Sequence, residues 1–191
     1  MNSMRSFFLA LVLLVSGIIP VHAQDNDVRI SRPRRGIGVS TDVIAVALPV
    51  ATVAGVIVTK DWIGLKQGAF TAVTALGVTE ILKFTIHKHR PDGSDRRSFP
   101  SGHTSVTFAD AAFLQRRYGW KFGVPAYVLA AYVGWGRTFA KKHDWWDVIA
   151  GAVIGAGSAY IYTRPLPQKS SLTIAPVSDG ECFGVTALNV F

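Results

Sequence analysis

The chain has 191 residues, enough for one domain, and 49% of them are hydrophobic, with a mean hydropathy of +0.30; both values lean toward a membrane protein. A formal charge of +8 would suit nucleic acid, but the basic residues gather in three short strings and at segment ends, without an aromatic-interleaved stripe, so no nucleic-acid partner is expected. The single cysteine, Cys182, excludes an internal disulfide.

The N-terminus carries Arg5, an apolar run over 7–19, Pro20, and then Val21-His22-Ala23. This is the pattern of a signal peptide cleaved after Ala23, with a short first transmembrane helix as the rival reading of 1–23. Residues 24–41, with Arg29, Arg32, Arg34 and Arg35, then form a polar, basic lead. Five apolar stretches follow, over 42–59, 68–87, 103–115, 122–140 and 146–163, within a core spanning 42–166. Their many Gly and Thr residues suit an all-α, tight transmembrane bundle of five to six helices. A soluble helical core is the alternative, kept open by the short 103–115 segment. Trp62, Trp120, Trp135, Trp145 and Trp146 fall near segment ends, as an interfacial belt requires.

The first string lies in Thr79–His87, which reads as helical and sets Lys83 and Arg90, seven residues apart, on one face about two turns apart. Pro91 cannot continue that helix, which places Arg90 at its end. Glu80, one turn before Lys83, is a structural partner for Lys83 or Arg137. His87 is a bystander at the helix end or a substrate contact, and Asp92 and Asp95 balance local charge. The second string, Pro100-Ser101-Gly102-His103, stands at the start of a helix, where free amides, a glycine and a hydroxyl make an anion cradle. A phosphate there would favour protonated His103, a proton donor to a leaving alkoxide. In the third, His143 and Asp147 are four residues apart and would share a helix face. The carboxylate would hold one imidazole nitrogen protonated and leave the other free as a nucleophile, with Arg137 as a further cation. Together these are the parts of a metal-free phosphate-transfer site: fixed cations, a nucleophile and a proton source. His87 and His89 stand beside cations, a poor setting for a divalent ion, so no metal and no cofactor are expected.

The three strings resemble the signature motifs of the type 2 phosphatidic acid phosphatase and vanadium haloperoxidase superfamily, over residues 83–147. The resemblance implies Lys83, Arg90 and Arg137 as phosphate ligands, with Ser101 and Gly102 donating to the phosphate. It further implies His103 as general acid, His143 as nucleophile and Asp147 as its orienting partner. One departure is Gly136, where the family usually has Ser; looser local hydrogen bonding is expected there. The expected protein is a multi-pass phosphatase of the bacterial inner membrane, acting on a lipid phosphate through a phosphohistidine. Phosphatidate, phosphatidylglycerophosphate, undecaprenyl diphosphate and lipid A phosphates all qualify as substrates, and membrane lipids surround the protein. A lipid phosphotransferase and a secreted acid phosphatase are the alternatives. Whether cleaved or retained, the N-terminal segment delivers the next residues outward, so the site is expected on the periplasmic face.

The tail, 167–191, changes character: β-prone stretches at 171–177 and 183–191 flank Ser178-Asp179-Gly180-Glu181, a hairpin signal.

Overall fold

The computed structural model describes residues 32–167 and the backbone of 171–178 and 183–190. Five helices run up and down: α1 (Arg32–Val58), α2 (Trp62–Thr85), α3 (Gly102–Tyr118), α4 (Trp120–Phe139) and α5 (Trp145–Tyr162). Strands β1 (Ser171–Ser178) and β2 (Phe183–Val190) pair antiparallel, Ser171 opposite Val190 and Ser178 opposite Phe183, in the hairpin the turn residues predict. The signal-peptide reading of 1–23 lies outside the described residues.

Three boundaries differ from expectation. The lead segment 24–41 is helical from Arg32 onward; Pro33 falls in the first turn, where its missing N–H has no partner to lose. Helix α2 starts at Trp62, because Asp61 caps it by accepting from Gly64 N at 2.9 Å. Its other end comes at Thr85, with Ile86 extended, so Arg90 lies in a loop and not at the helix end.

The four outer helices surround α3. Large exposed apolar side chains stud α1 (Val46, Val50, Ile57), α2 (Phe70, Val73, Ile81), α4 (Val124, Val128) and α5 (Val153, Ile161), whereas none of those exposed is on α3. A helix enclosed by others needs no apolar outer face, which accounts for the short apolar run at 103–115. By length and composition α1 (Pro33–Val58, mean hydropathy 2.1) is the one helix among the described residues long and apolar enough to cross a membrane. The core is built from Leu48, Ala51, Ala111, Ala112, Phe113, Leu114, Ala126, Ala130 and Ala159. Small side chains let the helices approach closely. A Cβ on Gly151 would stand 2.6 Å from the Ser101 carbonyl oxygen, and one on Gly155 would strike the Ser105 carbonyl, so α5 lies directly on the α3 backbone.

The two ends of the bundle differ chemically. At one end Arg117 grips Asp61 through Nε (2.7 Å) and Nη2 (2.5 Å), Tyr118 donates to the same carboxylate at 2.9 Å, and Arg117 Nη1 reaches the Arg164 carbonyl at 3.1 Å. This closes the loops after α1 and α5 onto the end of α3. The three strings converge at the opposite end. The five tryptophans are all exposed, Trp62 and Trp120 near the Arg117 end and Trp145 and Trp146 at the other.

Candidate active site

His143 and Asp147 meet, but not across a helix face. Asp144 is the N-cap of α5: its side chain accepts from Asp147 N at 3.0 Å, and Asp147 returns the bond by accepting from Asp144 N at 3.2 Å. His143 therefore stands just outside the helix, while Asp147 lies in its first turn. The ring still reaches its carboxylate, with Nδ1 3.4 Å from Asp147 Oδ2. Nδ1 is buried and makes no hydrogen bond at this distance. The loop that carries His143 folds back on α4: Lys141 turns with φ 60°, and the amides of Lys142 and His143 both point to the Arg137 carbonyl, at 3.1 and 3.3 Å.

Asp147 is fully buried and well held. Lys88 Nζ donates to its Oδ1 at 2.7 Å and also pairs with Asp144. The Ser98 hydroxyl donates to its Oδ2. Its carbonyl accepts from Ser101 N at 2.9 Å, which locks the second string to the third. Ser101 is fully buried, takes a bond from Thr104 Oγ1 at 3.0 Å, and has its own amide engaged; its hydroxyl hydrogen is what it has left to offer an anion. The first intrahelical bond of α3 is Ser105 N to Ser101 O, so the amides of Gly102, His103 and Thr104 lie ahead of it as the free donors of a helix start.

The cations close around this point. Lys83, in the last turn of α2, pairs with Glu80 at 3.1 Å, as the one-turn spacing predicts. Its ammonium lies over the start of α3: a Cβ on Gly102 would stand 3.1 Å from Lys83 Nζ. Arg90 is brought in by its loop, its amide donating to Asp95 O at 2.9 Å and its guanidinium 3.7 Å from the Asp95 carboxylate. Arg137 is buried on α4 and donates through Nη1 to Asp42 of α1 at 2.5 Å. The same Asp42 Oδ1 lies 2.9 Å from His103 Nε2. Asp92 pairs with Lys142 at 2.9 Å; partial burial works against its charge, yet bonds from Lys142 and Ser94 bring its pKa down to about 2. His87 is exposed beyond the helix end.

The site is charged and unfinished. Arg90 Nε, Arg137 Nε and His143 Nδ1 are buried polar atoms without a hydrogen-bond partner, and with Thr71 and Thr163 they complete that set among the described residues. Two guanidinium donors left unpaired beside an imidazole are costly, and an anion between them would remove the cost. Burial lowers the His143 pKa, and the positive charges of Arg137 and Arg90 push it the same way against Asp147. A neutral imidazole facing an anion seat has the lone pair that nucleophilic attack requires. All eight site residues proposed from the sequence thus lie at one end of the bundle. Missing from that set were Asp42, Lys88 and Ser98, whose partners are 61, 59 and 49 residues away.

The absence of Ser before the arginine also has a structural counterpart. A Cβ on Gly136 would strike Thr41 Cγ2 and stand 3.1 Å from Ile37 Cγ2. Thr41 and Ile37 of α1 fill the space a side chain there would take.

The family model of the PAP2 superfamily matches residues 64–170, more than half of the chain. The lipid A 4'-phosphatase of Helicobacter pylori is 32% identical over 130 residues, which are 62% of this chain and 66% of that protein. The lipid A 1-phosphatase of Porphyromonas gingivalis is 34% identical over 82 residues, 41% of this chain and 18% of that protein. The chain thus spans just under two thirds of the first relative and less than a fifth of the second. Among solved structures, LpxE of Aquifex aeolicus superposes with a TM-score of 0.61 at 20% identity, over 81% of this chain and 93% of that one. A transmembrane PAP2-type phosphatidylglycerolphosphate phosphatase of Bacillus subtilis gives 0.57 at 24% identity, over 85% and 94%. At these identities the likeness is one of fold. With its three strings assembled at one end of an all-α bundle that these proteins share, the chain belongs to the PAP2 superfamily.

Proposed function

We propose that the protein is an integral membrane phosphatase that removes phosphate from a lipid through a phosphohistidine on His143. The observation that carries this is the pair of buried, unpartnered guanidinium nitrogens, Arg90 Nε and Arg137 Nε, beside a buried imidazole. They fit the equatorial oxygens of a phosphoryl group in transfer, whose spread charge fixed cations stabilise. Lys83 and the first amides of α3 complete the seat.

With Nδ1 turned to Asp147, the lone pair on His143 Nε2 attacks phosphorus and forms the P–N bond. The P–O bond to the lipid breaks, and its electron pair takes a proton from His103 as the alcohol leaves. Water then gives a proton to His103 and attacks phosphorus. The P–N bond breaks, its electrons return to Nε2, and phosphate departs. Asp147 holds the positive charge that develops on the ring. Lys83, Arg90 and Arg137 supply the positive charge this step needs.

The lipid assignment rests on the exposed apolar side chains of α1, α2, α4 and α5 and on relatives named for lipid phosphates. A lipid A phosphate heads the candidates, because two of those relatives are lipid A phosphatases. This reading puts the active end away from the cytoplasm: α1 begins at that end, and the apolar run over 7–19, with the pattern of an export signal, precedes it. The test is phosphate release by the purified full-length protein from lipid A, phosphatidate, phosphatidylglycerophosphate and undecaprenyl diphosphate, with chelator present. Acid-labile label trapped on His143 is expected from the cleaved substrate. A strict requirement for a divalent ion, or wild-type release by His143→Ala, sinks the mechanism.

A further inference from the structure

We propose that Asp42 is a positioning residue for the proton-transfer step, forming with His103 a second carboxylate–imidazole pair across the phosphate seat from Asp147 and His143. The inference rests on the phosphatase reading above. Asp42 lies on α1, outside the stretch 64–170 that the family model covers, so no family motif assigns it a role.

The helix that carries Asp42 is registered against α4 over three consecutive residues. The Ser40 hydroxyl lies 2.8 Å from Tyr132 Oη, Thr41 is fully buried in the space a side chain on Gly136 would take, and Asp42 follows beside Arg137. The Thr41 and Gly136 contact fixes the rotation of α1, and the next residue on each helix forms the ion pair. Asp42 is the one acidic residue of α1.

One oxygen of that carboxylate serves two donors. Asp42 Oδ1 lies 2.9 Å from His103 Nε2 and 2.5 Å from Arg137 Nη1. A carboxylate only accepts, so the bond places a hydrogen on Nε2 and leaves Nδ1 as the second site. In the imidazolium both nitrogens carry a proton, and the one on Nδ1 goes to the leaving oxygen while Nε2–H stays on Asp42. On Arg137 the carboxylate engages Nη1 and leaves the buried Nε unpartnered. That edge is the one available for phosphate.

Leaving-group dependence separates this role from a structural one. An alkoxide leaving from phosphatidate needs the proton, whereas 4-nitrophenolate departs without it. With the full-length protein in detergent, Asp42→Asn is expected to slow single-turnover alcohol release from phosphatidate roughly tenfold, within what general-acid catalysis contributes. Release of 4-nitrophenolate from 4-nitrophenyl phosphate should slow less than release from phosphatidate does, and an unchanged thermal unfolding midpoint reports an intact fold. Asp42→Glu should recover part of the phosphatidate rate. In a His103→Ala background, Asp42→Asn should add no further loss. Equal slowing of both substrates would mean that Asp42 acts on phosphate through Arg137, and would overturn the proposal. So would no slowing, or a multiplicative loss in the double variant. Wild-type protein inactive on both substrates would instead overturn the phosphatase reading.

Discussion

Lys88 Nζ lies 2.7 Å from Asp147 Oδ1 and forms the cationic support of the carboxylate that faces His143. Asp147 is fully buried, so removing the charge that neutralises it leaves a buried anion whose remaining hydrogen bonds come from the Ser98 hydroxyl and the Asp144 amide. Lys88→Met is expected to cost about 1.5–3 kcal/mol of transition-state stabilisation, the range for a hydrogen bond to a charged group, or roughly tenfold to a hundredfold in kcat. KM should stay near the wild-type value, because Lys88 points at Asp147 and not at the seat. Steady-state kinetics decide this; a raised KM with unchanged kcat would place Lys88 on the phosphate.

The pH dependence of the nucleophile follows from its surroundings. Burial lowers the His143 pKa, with Arg137 and Arg90 adding to the shift. The attacking form is neutral, so a lowered pKa keeps His143 competent as pH falls below the ordinary histidine value of about 6.5. Activity is lost only as pH passes through the lowered value. Arg90→Gln removes one of the repelling charges, and the acid limb of kcat/KM should then move to higher pH. Comparing the two proteins on one substrate cancels the titration of the substrate phosphate itself. A limb that stays in place or moves to lower pH would contradict this reading.

Local patterns in the sequence carried the parts of the site, and long-range pairing carried its assembly. Lys83 and Glu80 one turn apart, the glycine and serine at the start of α3, and the β-prone tail are all short-range signals, and each corresponds to what the structure holds. Two errors also had local signals. Arg90 precedes Pro91, and a residue before proline is biased away from helix, which fits a helix that stops at Thr85. Asp144 and Asp147 have the spacing of a capping pair, which puts His143 outside α5. Asp42, Lys88 and Ser98 had no such signal. Each acts on a residue at least 49 positions away, and an aspartate, a lysine and a serine in isolation read as ordinary polar positions.

Gly136 supplies a test of how α1 is seated. A serine there would meet Thr41 Cγ2, and overpacking a tight contact costs about 1–3 kcal/mol. Gly136→Ser should therefore lower Tm and reduce activity together, since the same contact positions Asp42. Thr41→Ala removes the colliding methyl and should restore much of both in the double variant. A Gly136→Ser protein as stable as wild type would show that α1 is not packed against α4 at this point.

Stability and catalysis should separate along the bundle axis. At the far end, the Arg117 and Asp61 side chains are 3% and 8% exposed and joined by two hydrogen bonds. Arg117→Met leaves Asp61 buried without its partner, a change that typically costs about 3–5 kcal/mol. Protein that remains folded should still turn over at the wild-type kcat, because nothing in the site touches that pair. Gly151 is different. Its added methyl in Gly151→Ala would press within 2.6 Å of the Ser101 carbonyl, four residues along α5 from the Asp147 that binds the Ser101 amide. Relief of that contact has to move α3 away from α5, and with it Gly102 and His103 away from His143. Gly151→Ala should thus lose less stability than Arg117→Met, about 1–3 kcal/mol, yet lose more kcat. Thermal unfolding and kcat measured on the same two preparations give the comparison. If the variants lost kcat in proportion to stability, the α3–α5 contact would have no separate role in holding the site.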